Sequence, residues 1–447
     1  MTSSTLLFSC ARRVGTTALL AAALGVAAPA QAQLGLPRMN LPTLPTLPSP
    51  QRELSRLPGI PAAESTRTAL PLPSLRANTV RELLREHAEA LEADPAGEPV
   101  RRQELLLIAP AQSLVDATRA LGFVVLREQV LAALDLRQVV LRPPPGLGTA
   151  ESLARLRAID PQVDADFNHV YTRSGEAPEA AAGQPDSAAA SGTRRVGLID
   201  SGVDRRHPAF RGAEVRAWGC NDMPVPSSHG TAVASLLVGR DAAFVGSAPG
   251  SVLYAADIYC GQPAAGAAET IALALAWMAR EQVAVVNISL VGPANRLLER
   301  AIEAMNRRGH LIVAAVGNDG PAAPPLYPAA YPGVVGVTAV TPARRVLPEA
   351  AQGGQVMFAA PGAELAVARG TAGYAVARGT SFAAPLVTGL LAESMRLPEP
   401  AAAQAALRRL SDVALDLGAP GRDAVFGIGL VGESARIAPD RVHAQSP

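Results

Sequence analysis

Four short segments carry side chains suited to nucleophilic catalysis. Asp200 closes the apolar run Val196-Gly197-Leu198-Ile199 and is followed by Ser201-Gly202. His229 opens the stretch His229-Gly230-Thr231-Ala232-Val233-Ala234, and Ser381 lies within Gly379-Thr380-Ser381-Phe382-Ala383-Ala384-Pro385. Asn318 follows Val313-Ala314-Ala315-Val316-Gly317. A serine is a weak nucleophile at its own pKa and needs a base to take its proton. A carboxylate can hold that base in one tautomer and stabilise the imidazolium. A serine at a helix start is surrounded by backbone N–H groups that can bind developing negative charge. An asparagine amide can add a second donor, and removing such a donor costs about 10²–10³ in turnover. Each segment alone also has an ordinary reading, as a turn carboxylate, a capping histidine, an N-cap serine or an Asn-Asp-Gly turn. Together they place a carboxylate, an imidazole, a hydroxyl and an amide on the kinds of local structure that nucleophilic catalysis needs.

The surrounding elements suit that arrangement. From Arg194 onward, apolar strands at 196–199, 251–257, 283–289, 311–316 and 334–340 alternate with helices at 231–237, 267–281, 296–308 and 381–395. This pattern predicts an α/β fold, a mostly parallel sheet with helices on both faces. Reactive groups in such folds sit beyond the carboxyl ends of the strands. Upstream, residues 101–173 read β-α-β-β-α-β: strands at 103–109, 123–128, 138–141 and an edge strand at 163–171, helices at 111–121 and 149–158. That order predicts a small α+β ferredoxin-like sandwich. Residues 78–93 add a helix, with Asn78 as a candidate cap.

Composition sets the boundaries. Residues 1–32 have the form of a secretory signal: Arg12-Arg13, an apolar run from Val14 to Ala28, then Ala30-Gln31-Ala32 before Gln33. The run is short for a membrane span, and an uncleaved anchor is the alternative. Residues 33–75 form a Pro-rich arm, expected to be extended, and 174–193 an Ala/Gly/Ser linker. The organisation expected is 1–32 signal, 33–75 arm, 76–173 α+β domain, 174–193 linker, 194–437 catalytic α/β domain and 438–447 tail. The formal net charge is +1, with 40 basic against 39 acidic residues, which gives no reason to expect a nucleic acid or an anionic membrane as partner. No lysine occurs, a bias that the excess of Ala, Gly and Pro accompanies. Signal removal would leave Cys220 and Cys260, either a disulfide or two buried thiols. A secreted or periplasmic location follows from the signal.

The four segments resemble those of the subtilisin family of serine proteases. The likeness runs from Arg194 to about Arg436 and includes Tyr327-Pro328-Ala329-Ala330-Tyr331-Pro332 and Phe426-Gly427-Ile428-Gly429-Leu430. Gly379-Thr380-Ser381 with Ala383 and Pro385 is its most specific part. The resemblance implies a serine endopeptidase that hydrolyses peptide bonds of a polypeptide through an acyl-enzyme, with Asp200 orienting, His229 as general base and acid, Ser381 attacking, and Asn318 with the Ser381 N–H binding the oxyanion. It implies that Ser289, Leu290 and Val291 on one side, and Ala315, Val316 and Gly317 on the other, line the site for the residue before the scissile bond. It also implies that the βαββαβ block is an inhibitory propeptide whose last strand, near Phe167–Tyr171, lies in the active-site cleft by β-augmentation.

The chain departs from the family pattern in several places. Ala232 stands where a second histidine is common, and Ala209 where an aspartate often binds calcium. The loop 239–246 offers only Asp241 as a carboxylate, too few oxygens for a calcium site of six or more. No metal and no cofactor is therefore expected. Val291 and Leu326 stand where the family often has glycine or another small residue, which predicts a narrowed pocket and a preference for small apolar residues. Other readings are an esterase on the same triad, or a catalytically silent binding protein or adhesin on a subtilisin scaffold.

Overall fold

A computed structural model of the chain describes residues 73–173, 194–223 and 225–443. The signal segment, nearly all of the Pro-rich arm, the linker 174–193 and residues 444–447 lie outside them. All described residues belong to one compact unit spanning 68–447.

The N-terminal module comprises α1 (Pro73–Glu86), β1 (Leu91–Ala93), β2 (Pro99–Ile108), α2 (Gln112–Ala120), β3 (Val124–Leu131), β4 (Leu136–Arg142), α3 (Thr149–Ile159), β5 (Ala165–His169) and β6 (Thr172–Arg173). Its antiparallel sheet runs β3-β4-β2-β5, with β1 paired to the start of β2. This is the connectivity expected from the βαββαβ reading. Leu105 and Leu107 point to one face and pack with α3, while Leu106 and Ile108 point to the other. That alternation is the two-residue period of a strand. Three expectations are corrected, the first being the helix expected over 78–93, which runs Pro73–Glu86 while Leu91–Ala93 is strand β1. Asn78 is not a cap, because the helix already starts at Pro73 and the Asn78 side chain accepts from Arg81. The edge strand does not alternate: all five residues of β5 are buried, because its outer side packs against helices of the second half.

The second half carries β7 (Arg195–Asp200), β8 (Val215–Trp218), α4 (Ser228–Val238), β9 (Val252–Asp257), α5 (Ala268–Arg280), β10 (Val285–Ile288), β11 (Leu290–Val291), α6 (Arg296–Arg307), β12 (Leu311–Ala315), β13 (Val335–Val340), β14 (Val356–Pro361), β15 (Leu365–Ala368), β16 (Tyr374–Ala377), α7 (Thr380–Glu393), α8 (Pro400–Asp412) and α9 (Pro439–His443). Seven strands form one parallel sheet in the order β14-β13-β12-β10-β7-β9-β8. Both faces are covered, as the apolar runs predicted. Val285, Val313 and Leu253 pack with α4 and α7, whereas their neighbours Val286, Ile312 and Tyr254 pack with α5 and α6.

The same second core continues into the module. Leu106, Ile108, Leu131 and Val140 pack with residues of α5 and α6. Polar groups fix the register of this contact. Asp166 Oδ2 accepts the Arg296 N–H at the start of α6 at 2.8 Å, and Asn168 Oδ1 accepts the Glu269 N–H at the start of α5 at 3.3 Å. Both use helix N-terminal donors that have no intrahelical partner. Arg127 of β3 makes a bidentate pair with Glu269 at 2.8 and 2.7 Å and also reaches Glu104 at 2.8 Å.

Candidate active site

Asp200 ends β7 at the carboxyl edge of the sheet and is fully buried. Its Oδ1 accepts three hydrogen bonds: from His229 Nδ1 at 2.9 Å, from the Ser201 N–H at 2.7 Å and from the Ser201 hydroxyl at 2.9 Å. The bond from Nδ1 puts the proton on that nitrogen and leaves Nε2 as the basic atom. His229 Nε2 is buried and makes no hydrogen bond among the described residues. The histidine is the second residue of α4. Gly230 permits this placement, because a Cβ there would run into the Ser201 carbonyl, and its N–H instead donates to the Ser201 hydroxyl at 3.1 Å.

Ser381 is the second residue of α7, after Gly379 at φ 132°. It does not cap its own helix. Its hydroxyl donates to the Ser289 carbonyl at 3.2 Å. The next residue, Phe382, lays its ring against the His229 ring with centroids 5.6 Å apart, so the structure brings the two helix starts together. Pro385 lacks the N–H that would bind the Ser381 carbonyl within the helix. The Ser289 hydroxyl takes that carbonyl instead, at 2.9 Å. Asn287 donates to the Ser289 hydroxyl at 2.9 Å and accepts from Thr388 at 3.2 Å, which ties α7 to β10 through buried polar groups. This tether, with Asn287 and Thr388 in it, was not read from the sequence. Pro385 inside a helix was the available signal.

Asn318 follows β12 by way of Gly317 at φ 104°. Its Oδ1 accepts the Thr380 N–H at 3.1 Å, and the Thr380 hydroxyl accepts the Gly317 N–H at 3.3 Å. With the oxygen held by Thr380, Nδ2 is the end of the amide that can donate to an oxyanion.

The residues expected to line the cleft are paired with the module. Leu290 and Val291 of β11 pair antiparallel with Arg173 and Thr172 of β6. On the other side of the same extended segment, the Tyr171 N–H donates to the Gly266 carbonyl at 2.8 Å and the Tyr259 hydroxyl donates to the Tyr171 carbonyl at 2.8 Å. Residues 171–173 are therefore an extended segment held between β11 and the loop 259–266. The expectation that Phe167–Tyr171 is the strand lying there is corrected: β5 pairs with β2 inside the module, and Thr172–Arg173 pair with β11. Ala315 and Val316 are fully buried in the core beside the site, and Gly317, also buried, lies beneath Leu326 and Val291. One element was not anticipated here. Arg76, Thr79 and Val80 of α1 line a cavity of about 90 Å³ together with Thr172, Arg173, Val291, Asn318 and Asp319. Burial pushes the Asp319 carboxyl above the usual carboxylate range, and Arg76 opposes that shift.

Cys220 and Cys260 are disulfide-bonded, with Cα atoms 5.3 Å apart. Beside them, burial pushes the Asp257 carboxyl up against the N–H bonds of Cys260, Tyr259 and Val225. Among the described residues, Cys220, Asp257 and Cys260 are the grouping with metal-ligand spacing, and the disulfide takes up its two thiols. Nor do the residues of the loop after α4 fit calcium. The Asp241 carboxylate accepts the Ala243 and Phe244 N–H groups at 2.9 Å each and the Tyr374 hydroxyl. No helix among the described residues is long and apolar enough to cross a membrane.

Comparison with known proteins adds an independent finding. Residues 192–429, more than half of the chain, match the subtilase family, peptidase S8. The chain is 29% identical over 255 residues to the minor extracellular protease Epr of Bacillus subtilis, a match covering 56% of this chain and 39% of that protein. It is 30% identical over 207 residues to the subtilisin of Bacillus pumilus, covering 44% of this chain and 75% of that one. Among solved structures, fervidolysin from Fervidobacterium pennivorans, a keratinolytic enzyme related to subtilisin, aligns with a TM-score of 0.60 at 20% identity, over 80% of this chain and 62% of that one. That likeness concerns the fold.

Proposed function

The chain belongs to the subtilase family of serine peptidases, and on that premise we propose that it is a secreted or periplasmic endopeptidase made as a zymogen. In this reading Ser381 Oγ attacks the scissile carbonyl of a polypeptide while His229 Nε2 takes its proton. Asp200 holds the imidazole and stabilises its cation. Asn318 Nδ2 and the Ser381 N–H bind the oxyanion. His229 then protonates the leaving amine, and water repeats the sequence on the acyl-enzyme. Every step is assigned to these side chains, without a metal or cofactor.

The observation that carries the reading is the buried Asp200–His229 bond at 2.9 Å, set against the α7 start that bears Ser381. The zymogen part rests on β6 lying along β11. A strand in that position withholds the cleft from other chains, and α1 narrows it further beside Asn318. Release of the module would need a cut beyond Arg173.

The test is expression of the chain from Gln33 beside Ser381→Ala, with self-cleavage followed by mass and the nucleophile by fluorophosphonate labelling. The wild type should process itself and take the label. Ser381→Ala should do neither, with hydrolysis reduced by about 10⁶. A wild type that takes no label and stays intact would defeat the protease reading and favour the silent scaffold. Labelling with ester but no peptide turnover would favour the esterase.

A further inference from the structure

We propose that this site selects a small residue immediately before the scissile bond and a tyrosine three residues upstream of it. The inference rests on the protease reading and assigns that reading a substrate class.

The register comes from the module's own strand. Thr172 lies opposite Val291 and Arg173 opposite Leu290. A substrate strand in the same register therefore brings its next residue level with Ser289, whose carbonyl accepts the Ser381 hydroxyl at 3.2 Å. That next residue would present the scissile carbonyl. Counting back three places reaches the position that Tyr171 holds.

The space over Gly317 is filled, the cavity of about 90 Å³ lying instead between α1, Val291 and Asn318. Gly317, next to Asn318, is buried and presents bare backbone at φ 104° to the side chains over it. A Cβ built on it would lie 2.8 Å from Leu326 Cδ1 and 3.5 Å from Val291 Cγ1. The two side chains thus meet over the glycine, where a large substrate side chain would otherwise go. Leu326 is fixed in place by its neighbour, since the Tyr327 N–H and carbonyl both pair with Gly292, at 3.0 and 2.9 Å. Both side chains are buried, with 5% and 4% exposure. A close-packed wall of this kind does not yield to a bulky group without strain.

The upstream position has the opposite character. Tyr171 is fully buried, and its ring lies on the bare backbone of Gly292. Its hydroxyl donates to the Pro293 carbonyl at 2.7 Å. The pocket therefore offers both an apolar slot for the ring and an acceptor for the phenol. Pockets that bond a substrate hydroxyl discriminate against analogues lacking it. A phenylalanine would fill the slot and leave the Pro293 carbonyl without this donor, a loss of about tenfold for a neutral hydrogen bond.

The experiment uses the full chain after self-processing, with fluorophosphonate labelling to count competent sites, and a peptide library of the form Tyr-Thr-Arg-X followed by a constant tail. X equal to Ala, Ser or Gly should be cut at least 100-fold faster than X equal to Phe, Leu or Arg. Replacing the upstream Tyr by Phe should lower kcat/KM by about tenfold. Leu326→Ala, and separately Val291→Gly, should reduce the Ala-to-Phe preference by tenfold or more. Cleavage after Phe, Leu or Arg at rates within threefold of Ala would overturn the proposal, as would an unchanged preference in labelled Leu326→Ala. Equal cleavage of the Tyr and Phe peptides would overturn its upstream half. Absence of both label and turnover would instead defeat the protease reading, and the proposal with it.

Discussion

On one side of the cleft, Asp200, His229, Asn318 and Ser381 hang from strand ends and helix starts whose neighbouring residues are apolar and buried. On the other, the N-terminal module is keyed into place by Arg127, Glu104, Glu269, Asp94 and His169. The module also contributes apolar residues to the shared core, but apolar attraction is non-directional and leaves the register open. Charged and polar contacts choose the register, and several of them are partly exposed. The difference suggests a division of labour. The groups proposed to react are held by a sheet whose strands are buried, whereas the module is held by contacts that include the 40% exposed Arg127.

The sharpest way to break that comparison is at Asn318, the proposed oxyanion donor, which also has a structural duty. Its Oδ1 receives the Thr380 N–H, which orients the turn before Ser381. Asn318→Ala removes both roles and should lower kcat by about 10²–10³ with little change in KM. Asn318→Asp keeps the acceptor for Thr380 but replaces the donor with a negative charge facing the oxyanion, so its loss should be at least as large. Steady-state kinetics on a fast peptide substrate would separate the two. Recovery of activity in Asn318→Asp would reduce Asn318 to a positioning residue.

How much was legible in the sequence follows from where each feature gets its information. Asp200 and Asn318 each follow an apolar strand, and Ser381 sits between Gly379 and Pro385, so local pattern alone placed them. The five central strands of the sheet read clearly because both faces are buried and their apolar runs are continuous. β8 was missed because Arg216 and Ala217 are exposed, so the strand lacks such a run. β14 and the hairpin of β15 and β16 interrupt the strand–helix alternation and gave no period to follow. The pairing of β6 with β11 involves two residues on each side, and its partners lie more than a hundred residues apart. Nothing local marks it. The position of α1 beside Asn318 is of the same kind, set by packing rather than by its own sequence.

A smaller effect tests the cover. Arg127 neutralises Glu104 and Glu269, both nearly buried, while remaining 40% exposed itself. Arg127→Met keeps the length of the side chain, leaves Glu269 without its cation and leaves Glu104 with only Arg101, 4.0 Å away. Removing one partner of a buried pair is costly, and the exposure of Arg127 reduces the figure to about 2 kcal/mol. Opening of the module should rise about 30-fold by that amount, with β7, β10 and β12 unaffected. Hydrogen exchange read separately over residues 99–169 and 195–315 would show it. Equal loss of protection in both regions would contradict the division drawn above.

The smallest effect is the acid sensitivity of the same interface. Burial alone would push the Asp94 carboxyl up, but hydrogen bonds from His169 and from the Glu98 and Ala96 N–H groups hold it below the usual range. A carboxyl depressed in the folded state stabilises that state above its unfolded pKa, near 4, and the contribution is lost as pH falls through the lower folded value. His169 Nδ1 also receives the Asn295 amide at 3.0 Å, while Asn295 Oδ1 caps α6 through the Leu297 and Leu298 N–H groups. Protonating Asp94 therefore weakens one end of a chain of bonds that reaches the second half of the molecule. Pepsin susceptibility of residues 91–169 should rise below about pH 4, ahead of that of the parallel sheet. Asp94→Asn should remove this pH dependence and leave the module equally open at neutral pH. A module whose acid opening is unchanged in Asp94→Asn would move the sensitivity elsewhere, to the Glu104–Arg127–Glu269 cluster.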